Sequence, residues 1–181
     1  MNSAKNNIGI DSLPVSSAMT VNVISGTESQ SVRDICKTMY KNKVGSIIIT
    51  KVASDTTAEK TPTGIVTERD YIRLIGFSDL FVVDAPISEL MSSPIITINQ
   101  NNSIKDAMEI MLQKDIRRLP VVDTNGKMVG IITDKDIFKA VNKTAELMTG
   151  ATSQEQFLGE HRGVYERFSE YTFSNIFPHI T

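Results

Sequence analysis

Apolar residues recur at two spacings along this chain, and each spacing predicts a different kind of element. In residues 31–42 and 103–114 they fall three and four positions apart, as on one face of an α-helix, and each segment opens with Ser-x-x-Asp, close to a helix capping box. Continuous apolar runs at 47–49 and 119–122 instead predict strands covered on both sides. Helices that alternate with short strands indicate a mixed α/β domain.

The remaining patterned segments give the same order of elements twice. We expect first strands over 21–25 and 95–98, hairpin strands over 64–66 and 128–132, and second helices over 68–75 and 134–141. The first of these second helices is predicted to end at Gly76, since glycine commonly terminates helices. Asn125-Gly126 is a typical tight hairpin turn.

The chain contains two copies of one unit. A shift of 72 positions lays residues 15–50 over 87–122, with Met19 over Met91. A shift of 66 positions then lays Gly64-Ile-Val-Thr-Glu-Arg-Asp70 over Gly130-Ile-Ile-Thr-Asp-Lys-Asp136, and the difference falls in a loop over 51–63.

One such unit is only marginally stable alone, because a domain of about 60 residues buries only about 60% of its unfolded surface. We therefore expect an α/β (α+β) fold: two β-α-β-β-α repeats packed with pseudo-twofold symmetry, plus a C-terminal helical extension. The predicted divisions are a flexible lead-in over 1–12, repeats over 13–80 and 81–145, and a helical tail over 146–181.

Composition narrows the class of protein. The 181 residues are 40% apolar and 22% charged, which is typical of a soluble globular protein. Nineteen basic and 21 acidic residues give a net charge of −2, so we expect no nucleic-acid partner. No apolar run approaches the roughly 18–20 residues of a membrane span. A polar N-terminus and a single cysteine, Cys36, favour a cytoplasmic location without disulfides.

The candidate chemistry lies in Gly-x-x-Thr-x-x-Asp, which occurs twice. Thr67 and Thr133 follow predicted strands directly, and Asp70 and Asp136 fall one turn into the next helix. A helix N-terminus favours an anion such as phosphate, and an Asp beside it can accept hydrogen bonds from a ribose diol. The alternative is an ordinary helix cap, as we expect for the Ser-x-x-Asp segments, which follow polar loops.

The order of these motifs resembles a tandem pair of CBS (cystathionine beta-synthase) domains, often called a Bateman module. The resemblance covers about residues 13 to 145. It rests on Val15-Ser-Ser-Ala-Met19, Ile87-Ser-Glu-Leu-Met91, Arg117-Arg-Leu-Pro-Val-Val-Asp123 and both Gly-x-x-Thr-x-x-Asp segments.

The resemblance implies a regulatory adenosine ligand (AMP, ADP, ATP or S-adenosylmethionine) in a cleft between repeats, with no other cofactor required. By position, the ribose and phosphate contacts would be Thr67, Asp70, Thr133, Asp136, Arg117 and Arg118. Val44 and Ile116 would wall the adenine. The first copy has Gly45-Ser46 where the second has the arginine pair, so we expect its site to bind phosphate less well.

The favoured function is a non-catalytic ligand sensor that signals through conformation or assembly, as a homodimer or through a separate effector protein. The alternative is an interaction protein with vestigial clefts that assembles through its tail. No feature favours an enzyme. The only histidines, His161 and His179, lack partners at metal-ligand spacing, so no metal site is predicted.

Two further expectations concern single helices. Cys36 falls on the apolar face of its helix, which predicts a buried thiol. In the tail, Ser153-x-x-Gln156 resembles a capping box. Apolar residues then recur at roughly heptad spacing and form one seam, with His161 between the first two: Phe157, Val164, Phe168 and Tyr171. This seam packs on its own module, forms a homodimer contact or docks a partner.

Overall fold

The structure is a computed structural model, and it describes residues 12–51, 60–77, 83–147 and 162–176. Its strands are β1 Ser25–Thr27, β2 Ser46–Lys51, β3 Thr61–Thr67, β4 Ile98–Asn99, β5 Arg118–Val122 and β6 Met128–Thr133. Its α-helices are α1 Val32–Asn42, α2 Glu68–Phe77, α3 Ile104–Lys114, α4 Asp134–Leu147 and α5 Arg162–Ile176. The predicted α/β class and the twofold β-α-β-β-α order are confirmed.

Each repeat forms a three-stranded sheet, in the orders β1-β2-β3 and β4-β5-β6. In the first sheet β1 runs parallel to β2, and β2 runs antiparallel to β3 with Ile48 opposite Ile65. Ile47, Ile48 and Ile49 are all fully buried, as their continuous apolar run predicts.

Four element boundaries were predicted wrongly: the starts of β1 and β4 and the ends of α2 and α4. The first strands begin at Ser25 and Ile98 rather than at 21 and 95, because a strand exists only where its backbone meets a partner in register. Gly76 lies inside α2, which continues to Phe77, since its backbone does not turn left-handed there. Helix α4 runs on to Leu147, beyond its predicted end at 141.

The two repeats cap their first helices in similar ways. The Ser31 hydroxyl accepts a hydrogen bond from the Asp34 amide, and Ser103 with Asp106 forms the full reciprocal box. Both helices end in a left-handed residue, Lys43 with φ 54° and Asp115 with φ 52°.

The chain divides into two compact units, whose members differ from the sequence repeats. The N-unit is the described part of 21–97 and 122–129 and holds α1, α2 and the first sheet. The C-unit is the described part of 1–20, 98–121 and 130–181 and holds α3, α4, α5 and most of the second sheet.

The opening segment of each repeat packs with the elements of the other repeat. In the C-unit, the Val15 amide donates to Asn102 O at 2.8 Å, and Thr20 bridges Ile131 of β6. In the N-unit, the corresponding Ile87 amide donates to Gln30 O at 2.8 Å, and Ser92 bridges Ile65 of β3. Val15 and Ile87 are both fully buried by these contacts.

Helix α5 packs within its own unit, against α3 and α4. Phe168 is fully buried, with its ring centroid 5.4 Å from that of Phe138 on α4, and Tyr165 lies 5.8 Å from Phe138. Phe168 therefore belongs to the buried seam as predicted, whereas Val164 and Tyr171 are only half-buried. The other predicted tail residues, and the lead-in to residue 11, lie outside the described residues: Ser153, Gln156, Phe157, His161 and His179.

The prediction for Cys36 is wrong, because its thiol is exposed. Ile35 and Met39 lie on the face of α1 that packs in the core, whereas Cys36 and Tyr40 are exposed. No helix in the described ranges is long and apolar enough to cross a membrane.

Candidate functional site

The two Thr-x-x-Asp motifs lie where a strand passes directly into a helix, at the β3–α2 turn of the N-unit and the β6–α4 turn of the C-unit. The Thr67 amide and hydroxyl both donate to Oδ2 of Asp70, at 2.8 and 2.7 Å. Thr133 donates to Oδ2 of Asp136 in the same way, at 3.0 and 2.7 Å. Each carboxylate is therefore held in one orientation by its own threonine.

Each threonine hydroxyl donates its proton to Oδ2 of its aspartate, and Oδ1 of the same carboxylate makes fewer or weaker contacts. Oδ1 of Asp70 lies 3.5 Å from Arg73, whose side chain is 64% exposed. No described residue donates a hydrogen bond to Oδ1 of Asp136. This oxygen can accept a hydrogen bond from a ligand hydroxyl, and two accepting lone pairs suit a pair of neighbouring hydroxyls.

Hydrogen bonding alone does not separate these motifs from an ordinary cap. Asp106 on α3 accepts from the Ser103 amide at 2.9 Å and from the Asn102 side chain at 3.2 Å. Burial opposes ionisation of Asp106, but these bonds and the Ser103 hydroxyl together hold its pKa below its ordinary value. What distinguishes Asp70 and Asp136 is their position directly after the carboxyl end of a strand, β3 or β6, where ligands of α/β sheets collect.

The glycine that opens each motif has a packing role. A Cβ on Gly130 would lie 2.7 Å from Sδ of Met19 and 3.0 Å from the Thr20 carbonyl oxygen. In the N-unit a Cβ on Gly64 would collide with the Met91 side chain. Each glycine thus admits the methionine of an opening segment, which explains why the repeats share both residues.

Backbone contacts bring the arginine pair beside the C-unit motif. The Asp134 amide, in the first turn of α4, donates to the Arg117 carbonyl oxygen at 3.1 Å, and Arg118 begins β5. Both arginine side chains are half-buried. The corresponding Glu68 amide of the N-unit donates to Gly45 O at 3.2 Å, where no side chain is available.

The two predicted adenine contacts occupy matching positions after α1 and α3. The Val44 amide donates to Met39 O and the Ile116 amide to Met111 O, each at 3.1 Å, directly after the left-handed residue. Both side chains are half-buried, and Val44 also packs against the N-unit core. The structure thus places Ile116, Arg117 and the β6–α4 turn in one unit, and Val44 and the β3–α2 turn in the other.

Carboxylates in the first helical turns limit the kind of group that these turns can bind. Glu68 and Asp70 begin α2, and Asp134 and Asp136 begin α4. Asp134 is buried, and its Oδ1 accepts from the Lys135 amide at 2.8 Å. Two negative charges in one turn oppose an anion on the helix N-terminus itself and favour a neutral hydroxyl donor there.

Sequence reasoning missed Tyr171, which α5 brings to the loop before β5. Burial, then a hydrogen bond to Asp115 and the charges of Asp115 and Asp134, raise the pKa of Tyr171 to about 12, against an opposing effect of Arg117. The heptad spacing assigned Tyr171 to the apolar seam of the tail. Nothing in the sequence indicated that Asp115, Arg117 and Asp134 would lie near its hydroxyl.

In the part of the chain that the structure describes, no three His, Cys, Asp or Glu side chains converge as metal ligands.

Comparison with known proteins gives consistent matches. The model of the CBS domain family matches residues 15–76 and 87–143. Protein MK0525 of Methanopyrus kandleri is 32% identical over 117 residues, which are 65% of this chain and 57% of that protein. This chain therefore spans little more than half of that relative.

Two further matches bear on function. The CBS domain protein PAE2072 from Pyrobaculum aerophilum, solved in complex with AMP, has 27% identity and a TM-score of 0.59 over 68% of this chain and 89% of that one. The L-aspartate semialdehyde sulfurtransferase of Methanocaldococcus jannaschii is 32% identical over 155 residues, but these are only 30% of that enzyme.

The CBS family model matches both repeats, in agreement with the duplicated order of strands and helices and with the paired strand-to-helix turns. This chain therefore belongs to the CBS domain family, with two CBS repeats.

Proposed function

We propose that this chain is a non-catalytic regulatory module that binds an adenosine-containing ligand at its Thr-x-x-Asp turns. The observation that carries the proposal is the fixed carboxylate at each turn. Among the described residues, Oδ1 of Asp136 accepts no hydrogen bond, and Oδ1 of Asp70 meets the exposed Arg73 at 3.5 Å. Ribose hydroxyls donate to that oxygen of Asp70 or Asp136, while Thr67 and Thr133 hold the carboxylates in place.

The two turns differ in the charge that they tolerate. Arg117 and Arg118 of the C-unit supply guanidinium groups for a phosphate, so this turn takes AMP, ADP or ATP. Gly45 and Ser46 stand at the corresponding positions of the N-unit, so that turn takes a less charged ligand, such as S-adenosylmethionine. Ile116 and Val44 supply apolar surface for the adenine of each.

The AMP complex of the Pyrobaculum aerophilum relative supports this ligand class. Regulation follows if the ligand binds one conformation or assembly state more tightly than another, because a ligand shifts an equilibrium only by its difference in affinity. The change in conformation or assembly is transmitted within a homodimer or to a separate effector protein.

The test is a calorimetric titration of AMP, ATP and S-adenosylmethionine into the wild type, Asp70→Asn and Asp136→Asn. Asp106→Asn is the matched control, because it removes the same kind of cap from a helix that follows a polar loop. A hydrogen bond to a charged group contributes about 1.5–3 kcal/mol, so losing one weakens binding by about 10- to 150-fold. We expect that loss for AMP in Asp136→Asn and unchanged affinity in Asp106→Asn.

Two results would contradict the proposal. One is silence from all three ligands with the wild type. The other is an equal loss in Asp136→Asn and Asp106→Asn, which would reduce the motif to a helix cap. Replacing Arg117 and Arg118 by glutamine tests the charge preference, since it should weaken ATP binding more than S-adenosylmethionine binding.

A further inference from the structure

Helix α5 brings one polar group to the loop between α3 and β5. The hydroxyl of Tyr171 donates a hydrogen bond to the Asp115 carboxylate, and Arg117 lies near the same hydroxyl. Buried neighbours fix the tyrosine in place, since Phe168, one turn earlier, is fully buried and Thr172 is 2% exposed. The contact therefore joins the tail of the chain to the loop that carries the arginine pair.

The backbone of this loop is fixed, whereas its charged side chains keep their own freedom. Asp115 ends α3 in a left-handed conformation, with φ 52° and ψ 45°. Two residues later, the Arg117 carbonyl oxygen accepts from the Asp134 amide at 3.1 Å. The Asp115 side chain is exposed and the Arg117 side chain is half-buried, so neither is held by close packing.

Asp115 is a potential competitor of a phosphate for Arg117, because it carries the opposite charge two positions away. Within the described residues, however, no carboxylate lies within 4.0 Å of the Arg117 guanidinium. The 72-residue shift places Lys43 over Asp115 and Gly45 over Arg117. The first repeat therefore has neither the arginine nor the competing carboxylate at these positions.

We propose that Tyr171 is a positioning residue of the C-unit turn: it holds the Asp115 carboxylate away from Arg117 and so keeps that guanidinium for the phosphate of the ligand. This inference rests on the proposed function, which assigns the phosphate contact to Arg117. A left-handed backbone explains the aspartate, since Asp and Asn adopt it more readily than most side chains, but it requires no tyrosine partner. A neutral hydroxyl donor satisfies Asp115 without adding a second positive charge to the loop.

The first test is a calorimetric titration of AMP and adenosine into the full chain. Tyr171→Phe keeps the ring and loses only the hydroxyl, so the released Asp115 pairs with Arg117. AMP binding should weaken about three- to tenfold, and binding of adenosine, which has no phosphate, should change by less than about twofold. Adding Asp115→Asn to Tyr171→Phe should restore the wild-type affinity for AMP, because an amide forms no ion pair.

A second tyrosine of α5 provides the matched control. Tyr165→Phe removes a hydroxyl from the same helix six positions earlier, which is about 9 Å along the helix axis. It should leave the affinities for AMP and adenosine unchanged. Circular dichroism checks that each variant is folded.

A second measurement reports on Arg117 without any nucleotide. Phenylglyoxal modifies guanidinium groups, and a carboxylate paired with the guanidinium slows the reaction. Tandem mass spectrometry should find Arg117 labelled at least about twofold more slowly in Tyr171→Phe than in the wild type, and at the wild-type rate once Asp115→Asn is added. Arg69, exposed on α2, is the internal reference for the labelling rate.

The proposal is overturned if Tyr171→Phe leaves both AMP binding and Arg117 labelling unchanged, or if it weakens AMP and adenosine equally. It is also overturned if Asp115→Asn fails to reverse the effect, since Tyr171 would then only fasten α5 to the loop. If the wild type binds neither AMP nor adenosine, the proposed function fails, and the labelling of Arg117 alone decides whether Tyr171 restrains Asp115.

Discussion

Helix α5 should contribute a large share of the stability of the C-unit, and Phe168→Ala tests this. Phe168 is fully buried, and its ring packs against Phe138 at a centroid distance of 5.4 Å. Truncating a buried phenylalanine to alanine costs about 3–5 kcal/mol, from lost transfer free energy and the cavity left behind. A protein of this size typically has about 5–15 kcal/mol of unfolding free energy, so the loss is severe.

The assay is urea unfolding followed by circular dichroism, with thermal unfolding alongside. For a chain of about this length each kcal/mol shifts Tm by about 2–4 °C, so Phe168→Ala should lower Tm by about 6–20 °C. Tyr40→Ala is the control, because Tyr40 is 86% exposed and its loss should change stability by less than about 0.5 kcal/mol. A loss below about 1 kcal/mol in Phe168→Ala would refute the packing of α5 on its own unit.

Two other predictions concern close packing and alkaline pH. Gly130→Ala should lower the unfolding free energy by about 1–3 kcal/mol in urea titrations, because the added Cβ crowds Met19 and the Thr20 carbonyl oxygen. Gly163→Ala is the control, since the space around its Cβ position is open. Equal stability of the two variants would contradict the close packing of Gly130 on Met19. Because the folded pKa of Tyr171 is raised to about 12, above its ordinary value near 10, stability should fall as pH rises from about 10 to 12. Tyr171→Phe should flatten that fall, and an unchanged pH profile would count against the Asp115 contact.

Local patterns predicted what depends on neighbouring residues. Helical spacing and Ser-x-x-Asp gave α1 and α3 with their caps, and Asn-Gly gave the hairpin in which Gly126 adopts φ 79°. Even the fixed carboxylates followed from Thr-x-x-Asp, because a side chain that bonds three residues back needs only the local backbone.

Features that depend on distant contacts escaped prediction. Helical spacing predicted a buried Cys36, but its thiol is exposed, whereas its counterpart Met108 is fully buried in the unit that holds α5. Tyr171 reaches Asp115 only because α5 packs along α3, which no periodicity encodes. The first strands were placed too early because apolar character does not reveal where a strand finds its partner.

Each opening segment packs with elements of the other repeat, so the chain cannot be cut between the repeats without the loss of these contacts. A fragment cut at the boundary between the repeats would carry Val15 away from Asn102, and Ile87 away from Gln30, and would leave hydrophobic anchors of both halves in water. Neither half should be a self-sufficient folding unit, and a lone repeat would need a second chain to supply the missing segment. Within this chain that mutual completion is intramolecular.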